Sequence, residues 1–269
     1  MANDYQWNKE EMLDRILNED CQLTMQRMDK CVDVVLTSPP YNTSRKGSSL
    51  TNADSNIRYD VFNDCRPNEE YIQWTNAIFN DFDKILVKDG CVLYNLSYSS
   101  ENISLMWLVV ASIMQNTPFT VADCIVWKKK SAVPNSESMN KLTRICEFVF
   151  VFCRKNELST FNCYKEKGMQ RPNGQQHYKN YFNFIEAPNN DENCPIHKAT
   201  YSTELCMKLL NLYSKRGGVI YDPFIGTGTT AIACHRMKRH YIGSELSENY
   251  CKWAENRIKN ETAQLRLDI

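Results

Sequence analysis

Short apolar runs alternate along this chain with segments of helical period, and that alternation restricts the possible folds more than any other feature. Val32–Leu36, Cys91–Leu96, Val121–Trp127, Glu147–Phe152, Gly218–Tyr221 and His240–Gly243 read as buried strands. Between and around them, Lys9–Leu17, Leu23–Met28, Glu69–Leu86, Leu105–Met114, Thr203–Leu212, Thr229–Met237 and Glu248–Lys259 space their apolar residues as helices do. Strands in regular alternation with helices predict an α/β fold with a doubly wound, mostly parallel sheet. The 269 residues, 42% of them hydrophobic, suffice for one large domain of this kind.

Three stretches fall outside the alternation. Thr43–Asp64 is polar and irregular and reads as a long surface loop. Lys128–Ser138 is a basic loop containing serine and proline. Asn156–Asn193, rich in Asn, Gln, Lys and aromatic residues, shows little periodicity and reads as an insertion. Residues 1–155 and 194–269 are then two halves of one domain, with 156–193 placed between them.

Charge and cysteine content narrow the function classes. Lys and Arg total 32, as do Asp and Glu, so no global field draws this chain to nucleic acid, and any such surface must be a local patch. The twelve cysteines are scattered without a C-x-x-C pair, which predicts free thiols in a reducing compartment and no structural zinc. The four histidines are scattered too, and no metal site is expected. The polar, acidic N-terminal stretch lacks an apolar signal core, and Leu105–Met114 is too short to span a bilayer, so the expectation is a cytoplasmic protein without a membrane partner.

Two motifs carry chemistry. Asp222-Pro223-Phe224-Ile225-Gly226-Thr227-Gly228-Thr229-Thr230 joins a strand to a helix. Its glycines permit a tight turn and close approach of a ligand to the backbone, at the sheet edge where such folds bind small molecules. Glu245, at the end of the next strand, suits a carboxylate that grips ribose hydroxyls. A third glycine and a G-K-[ST] sequence are both missing, which argues against a dinucleotide or triphosphate. The second motif, Thr37-Ser38-Pro39-Pro40-Tyr41-Asn42, also follows an apolar strand. Paired prolines make a rigid turn that can aim carbonyl oxygens and the Ser38 hydroxyl at a planar amino group, while Tyr41 stacks on the base bearing it.

Together, Ser-Pro-Pro-Tyr and Asp-Pro-Phe-Ile-Gly-Thr-Gly-Thr resemble the DNA amino-methyltransferases. The order, catalytic turn first and glycine loop last, resembles their circularly permuted β group. The resemblance implies a Rossmann-like methyltransferase sheet, S-adenosylmethionine as cofactor and DNA as substrate. It implies Ser38, Pro39, Pro40 and Tyr41 as catalytic residues, and Asp222, Phe224, Gly226, Thr227, Gly228, Thr229 and Glu245 around the cofactor. Leu17–Cys21 resembles the segment beside the cofactor adenine, which brings in Asp20. His197–Ser202 resembles the segment holding the methionine end, which brings in His197, Lys198 and Thr200, although the family usually has proline where Lys198, Thr200 and Ser202 stand.

The implied reaction draws the amino nitrogen of a flipped base toward tetrahedral geometry for in-line attack on a sulfonium methyl group. Ser-Pro-Pro-Tyr is frequent among cytosine-N4 enzymes and Asp-Pro-Pro-Tyr among adenine enzymes, so the reading leans to cytosine N4 and leaves adenine N6 open. For DNA contact the candidates are Arg45 and Lys46, which follow the catalytic turn, Lys128, Lys129 and Lys130, which as a charge run first suggest a solvated face, and Arg171. The insertion containing Arg171 is the candidate target-recognition segment; its brevity suggests a short recognition sequence or a homodimer. A cognate restriction nuclease is a further candidate partner. A turn of this type also leaves open an RNA or protein-amide substrate, or a nucleic-acid-binding protein without catalysis.

Overall fold

The computed structural model describes residues 9–42, 66–98, 102–132, 134–136, 139–191 and 201–267. A short helix α1 (Lys9–Met12) leads into strand β1 (Arg15–Leu17), helix α2 (Cys21–Gln26) and strand β2 (Val32–Thr37). Then come α3 (Asn68–Ile85), β3 (Leu86–Leu96), α4 (Ser104–Asn116), β4 (Phe119–Lys129) and β5 (Cys146–Arg154). Three short strands follow, β6 (Lys167–Gln170), β7 (Gln176–Tyr178) and β8 (Phe184–Ala187). The chain closes through α5 (Thr203–Tyr213), β9 (Val219–Asp222), α6 (Thr229–Met237), β10 (His240–Ser244) and α7 (Glu248–Leu267).

Eight strands form one sheet in the order β1-β10-β9-β2-β3-β5-β4-β8, while β6 and β7 make a separate hairpin. Pairing is parallel throughout except at β5, which runs antiparallel to both β3 and β4. The mixed α/β sheet is therefore mostly parallel, as the alternation predicts. The one reversed strand decides the site: its first residues lie at the same edge as the last residues of β2, β3, β9 and β10.

Alternating residues of the central strands feed two cores, which is why these runs are apolar almost without interruption. Val92, Tyr94, Phe150 and Phe152 pack with Ile78, Phe79 and Phe82 of α3 and Val109 and Ile113 of α4. On the opposite face Cys91, Leu93, Val149 and Val151 pack with Leu205 and Leu209 of α5 and Ala231 of α6. Phe79 centres the first core, meeting Phe82, Tyr94, Phe119 and Phe152 edge-on at 5.1–5.6 Å between ring centroids.

The structure departs from the sequence reading in three places. Lys9–Leu17 is not one helix. The helix stops at Met12, Asp14 takes a positive φ of 58°, and Arg15–Leu17 pairs with β10. Here the Asp14 amide donates to the Tyr241 carbonyl, the Tyr241 amide donates to the Asp14 carboxylate, and with the parallel ladder these bonds outweigh local helix propensity. Lys128 and Lys129 end strand β4 instead of opening a loop. The 156–193 segment holds the β6–β7 hairpin, and its Phe184–Ala187 joins the main sheet beside β4. Within the described residues, no helix is long and apolar enough to cross a membrane.

Candidate active site

The two motifs meet through buried hydrogen bonds. Thr37, the last residue of β2, donates its hydroxyl hydrogen to Asp222 Oδ1 at 2.7 Å, and Asp222 ends the neighbouring strand β9. The same carboxylate accepts from Thr230 Oγ1 at 2.5 Å, Tyr201 Oη at 2.9 Å and the Phe224 amide at 3.1 Å. Burial pushes the Asp222 carboxyl above the usual carboxylate range, opposed by those hydrogen bonds. With 1% exposure and four donors, Asp222 shapes the glycine loop from inside and does not lie open to a ligand.

The glycine loop itself is tightly constrained. Gly226 and Gly228 have φ of 53° and 84°, the left-handed region that favours glycine. A Cβ on Gly228 would lie 2.9 Å from the Ala254 Cβ of α7. Glu245, just past β10, accepts from the Gly226 amide at 3.0 Å and from the Ser247 amide at 2.8 Å. Burial raises its carboxyl above the ordinary range. An ionised carboxylate offers about four acceptor positions, and the Gly226 and Ser247 amides, with the Leu246 amide beside them, do not fill them all. The Thr227 hydroxyl is buried and has no partner among the described residues. A cofactor carrying a ribose, with a polar group within reach of Thr227, fits this donor and acceptor set.

Neighbouring residues complete that side of the site. Asp20 caps α2 by accepting from the Gln22 amide at 2.8 Å, at the end of β1. Asn18 ties this turn to the backbone oxygens of Glu245 and Leu246 at 2.9 and 3.0 Å. Phe224 is half-buried with its ring 5.6 Å from Trp74 of α3. Thr229 opens α6 and is buried. His197, Lys198 and Thr200 lie outside the described residues, as do Arg45 and Lys46.

The Pro-Pro turn is fixed from behind and from below. Tyr71 of α3 donates to the Pro40 carbonyl at 2.6 Å, and Pro39 and Pro40 are buried. Asn42, at φ 53°, accepts from the Arg66 amide and donates to the Arg66 carbonyl, at 2.7 and 2.8 Å. Ser38 and Tyr41 are half-buried, with their hydroxyls 2.8 Å apart. Beneath them the Asn95 amide of β3 lies 2.6 Å from Tyr41 Oη and 2.8 Å from Glu147 Oε2 of β5. Tyr41 Oη is also 3.1 Å from Glu147 Oε2, and Lys129 of β4 pairs with the other Glu147 oxygen.

Asn95, Glu147, Thr37, Tyr201 and Trp74 were not among the site residues read from sequence. Thr37 and Tyr201 lie inside the motif segments without a role of their own, and two others left a fainter trace. Asn95 is a lone amide in the apolar run Cys91–Leu96, and Glu147 is a lone charge opening another. Trp74 reads only as the apolar face of a helix. Of the lysine run, Lys129 turns to Glu147, whereas Lys128 and Lys130 make half-exposed pairs with Glu186 and Glu204 at 3.3 and 4.0 Å. Arg171 is exposed in the turn of the β6–β7 hairpin.

A glycine loop with a buried carboxylate, set one strand away from a rigid, polar Pro-Pro turn, suits a transferase that uses a nucleoside cofactor. Comparison with known proteins gives this class its family. Residues 32–256 match the N6/N4 DNA methylases. The chain is 27% identical to the type II methyltransferase M.HinfI of Haemophilus influenzae, over 97% of this chain and 74% of that protein. It is 26% identical to the type II methyltransferase M.MthZI of Methanothermobacter thermautotrophicus, over 90% of this chain and 75% of that protein. Among solved structures, the cytosine-N4-specific PvuII DNA methyltransferase has the same fold, with a TM-score of 0.66 at 15% identity, covering 91% of this chain and 90% of that one. The chain belongs to the N6/N4 DNA methylase family and is an S-adenosylmethionine-dependent amino-methyltransferase of DNA.

Proposed function

We propose that this enzyme methylates cytosine N4 in a base extruded from duplex DNA, with Ser38 and the Pro39 carbonyl accepting the amino hydrogens and Tyr41 stacked on the ring. The observation that carries the reading is the Thr37–Asp222 bond of 2.7 Å, which sets the amino-acceptor turn and the glycine loop on adjacent strands. Ser38 at the head of the turn favours cytosine over adenine. Around the cofactor, Glu245 takes the ribose hydroxyls, Asp20 lies on the adenine side, and Phe224 with the Gly226–Thr229 loop forms the floor; His197, Lys198 and Thr200 are assigned to the methionine end. When bound, the cofactor supplies a methyl group activated on a sulfonium, and the protein's own part is orientation and acceptance of hydrogen bonds.

On the DNA side, Lys128, Lys130, Arg45 and Lys46 are assigned to phosphates, and residues 156–193, with Arg171, to target recognition. A small footprint favours a homodimer. The type II designation of both relatives supports a restriction-modification setting with a cognate nuclease, in the cytoplasm. The test is to incubate DNA from an unmethylated host with the protein and S-adenosylmethionine, then to analyse nucleosides by mass spectrometry. N4-methylcytosine is expected; N6-methyladenine would move the base assignment while leaving the site intact.

A further inference from the structure

We propose that Glu147 is the terminal acceptor of a hydrogen-bond relay that starts at the target amino group, runs through Ser38 and Tyr41, and takes up the proton released by methyl transfer. The inference rests on the amino-transfer reading, with Ser38 as the acceptor.

Counting donors fixes the direction of the relay. The Asn95 amide has two hydrogens. Its nearest acceptors are Tyr41 Oη at 2.6 Å and Glu147 Oε2 at 2.8 Å, with Ser38 Oγ more distant at 3.4 Å. This orientation leaves the Asn95 carbonyl oxygen buried and without a partner among the described residues. An orphaned buried acceptor is costly, and both amide hydrogens are committed to Tyr41 and Glu147 in its place. Lys129 occupies Glu147 Oε1, which leaves Oε2 facing the relay. A carboxylate only accepts, so the Tyr41 hydrogen points to Glu147 across 3.1 Å, and the Ser38 hydrogen points to Tyr41 across 2.8 Å. The Ser38 lone pairs are thereby left for the amino group, the polarity its assigned role needs.

The same chain balances the reaction. The amino nitrogen gains a carbon as the carbon–sulfur bond of the donor breaks, and it then carries one proton too many. That proton passes to Ser38 Oγ, the Ser38 proton to Tyr41 Oη, and the Tyr41 proton to Glu147 Oε2. Ser38 and Tyr41 end unchanged, and Glu147 ends as a neutral acid. Among the described residues, the titratable groups facing Glu147 are Lys129 from β4 and Tyr41 from the turn. Glu147 is a positioning and proton-accepting residue that acts through Tyr41 and Ser38.

The experiment is single-turnover methylation of DNA, with cofactor and DNA affinities measured separately, for wild-type protein, Glu147→Gln, Tyr41→Phe and the double variant. A glutamine keeps the shape but donates, reversing the chain. Each single variant is expected to lose about 100-fold in rate, the scale of a lost proton-transfer step, with DNA and cofactor affinities unchanged. The double variant should be no slower than the slower single one. A Glu147→Gln rate equal to wild type, or losses that multiply in the double variant, would overturn the relay. Tyr41→Phe keeps the test decisive if Glu147→Gln folds poorly. Ser38→Ala, run alongside, separates the levels: wild-type activity there refutes the underlying Ser38 assignment, whatever Glu147 does.

Discussion

Thr37 and Asp222 stand 185 positions apart in sequence and 2.7 Å apart in space, hydroxyl to carboxylate, at the ends of adjacent parallel strands. This buried bond joins the Pro-Pro turn to the glycine loop. Thr37→Val preserves shape and removes the donor. Asp222 keeps its bonds to Thr230, Tyr201 and the Phe224 amide. We expect a loss of about 1–3 kcal/mol in unfolding free energy, the range for one buried hydrogen-bond partner. Urea denaturation measures it, and a variant as stable as wild type would show that the bond carries no net stability.

Gly228 is constrained twice, by its φ of 84° and by the 2.9 Å a Cβ would leave to Ala254. Gly228→Ala should cost about 1–2 kcal/mol from the left-handed backbone alone, with the crowding added. In an Ala254→Gly background only the backbone share should remain. A double-mutant cycle by thermal unfolding checks this, and strictly additive effects would remove the contact from the account.

Burial raises the Glu245 carboxyl above the ordinary glutamate range, so the group takes up its proton at a higher pH than a free side chain does. Cofactor affinity that depends on the ionised carboxylate should therefore weaken as pH falls, beginning above the usual glutamate value. For folding the sign is opposite: the group's stabilising contribution is present below its unfolded value and is lost as pH rises through the raised one. Calorimetric titration of S-adenosylmethionine across mildly acidic to neutral pH should show the decline in wild type and a flat, weaker profile in Glu245→Gln. An identical profile in both would remove Glu245 from the cofactor site.

How much of this was legible in the sequence depends on whether a feature is local. Gly226, Gly228, Pro39 and Pro40 mark their turns because each residue type restricts its own backbone, and the strands they close are apolar on both faces. The relation of Glu147 to Asn95 is different. These residues are 52 positions apart, and they meet only because β5 runs against its neighbours and brings its start to the end of β3. Nothing in the composition of Cys146–Arg154 reports strand direction. Arg15–Leu17 failed for a related reason: three residues carry too little periodicity to outvote the helical pattern before them, and their pairing with β10 is tertiary. Lys128–Lys130 look like one basic patch in sequence, but alternation along β4 sends Lys129 to Glu147 and Lys128 to Glu186.

In the function proposed above, the turn at Ser38 presents an amino acceptor to a methyl donor held at Gly226 and Glu245. The most direct measurement is nucleoside mass spectrometry of unmethylated DNA after incubation with S-adenosylmethionine and wild-type, Ser38→Ala or Gly226→Leu protein. The account predicts N4-methylcytosine with wild type and a loss of about 100-fold or more in both variants. Unmodified bases with wild-type protein that still binds the cofactor, or undiminished methylation by Ser38→Ala, would contradict it.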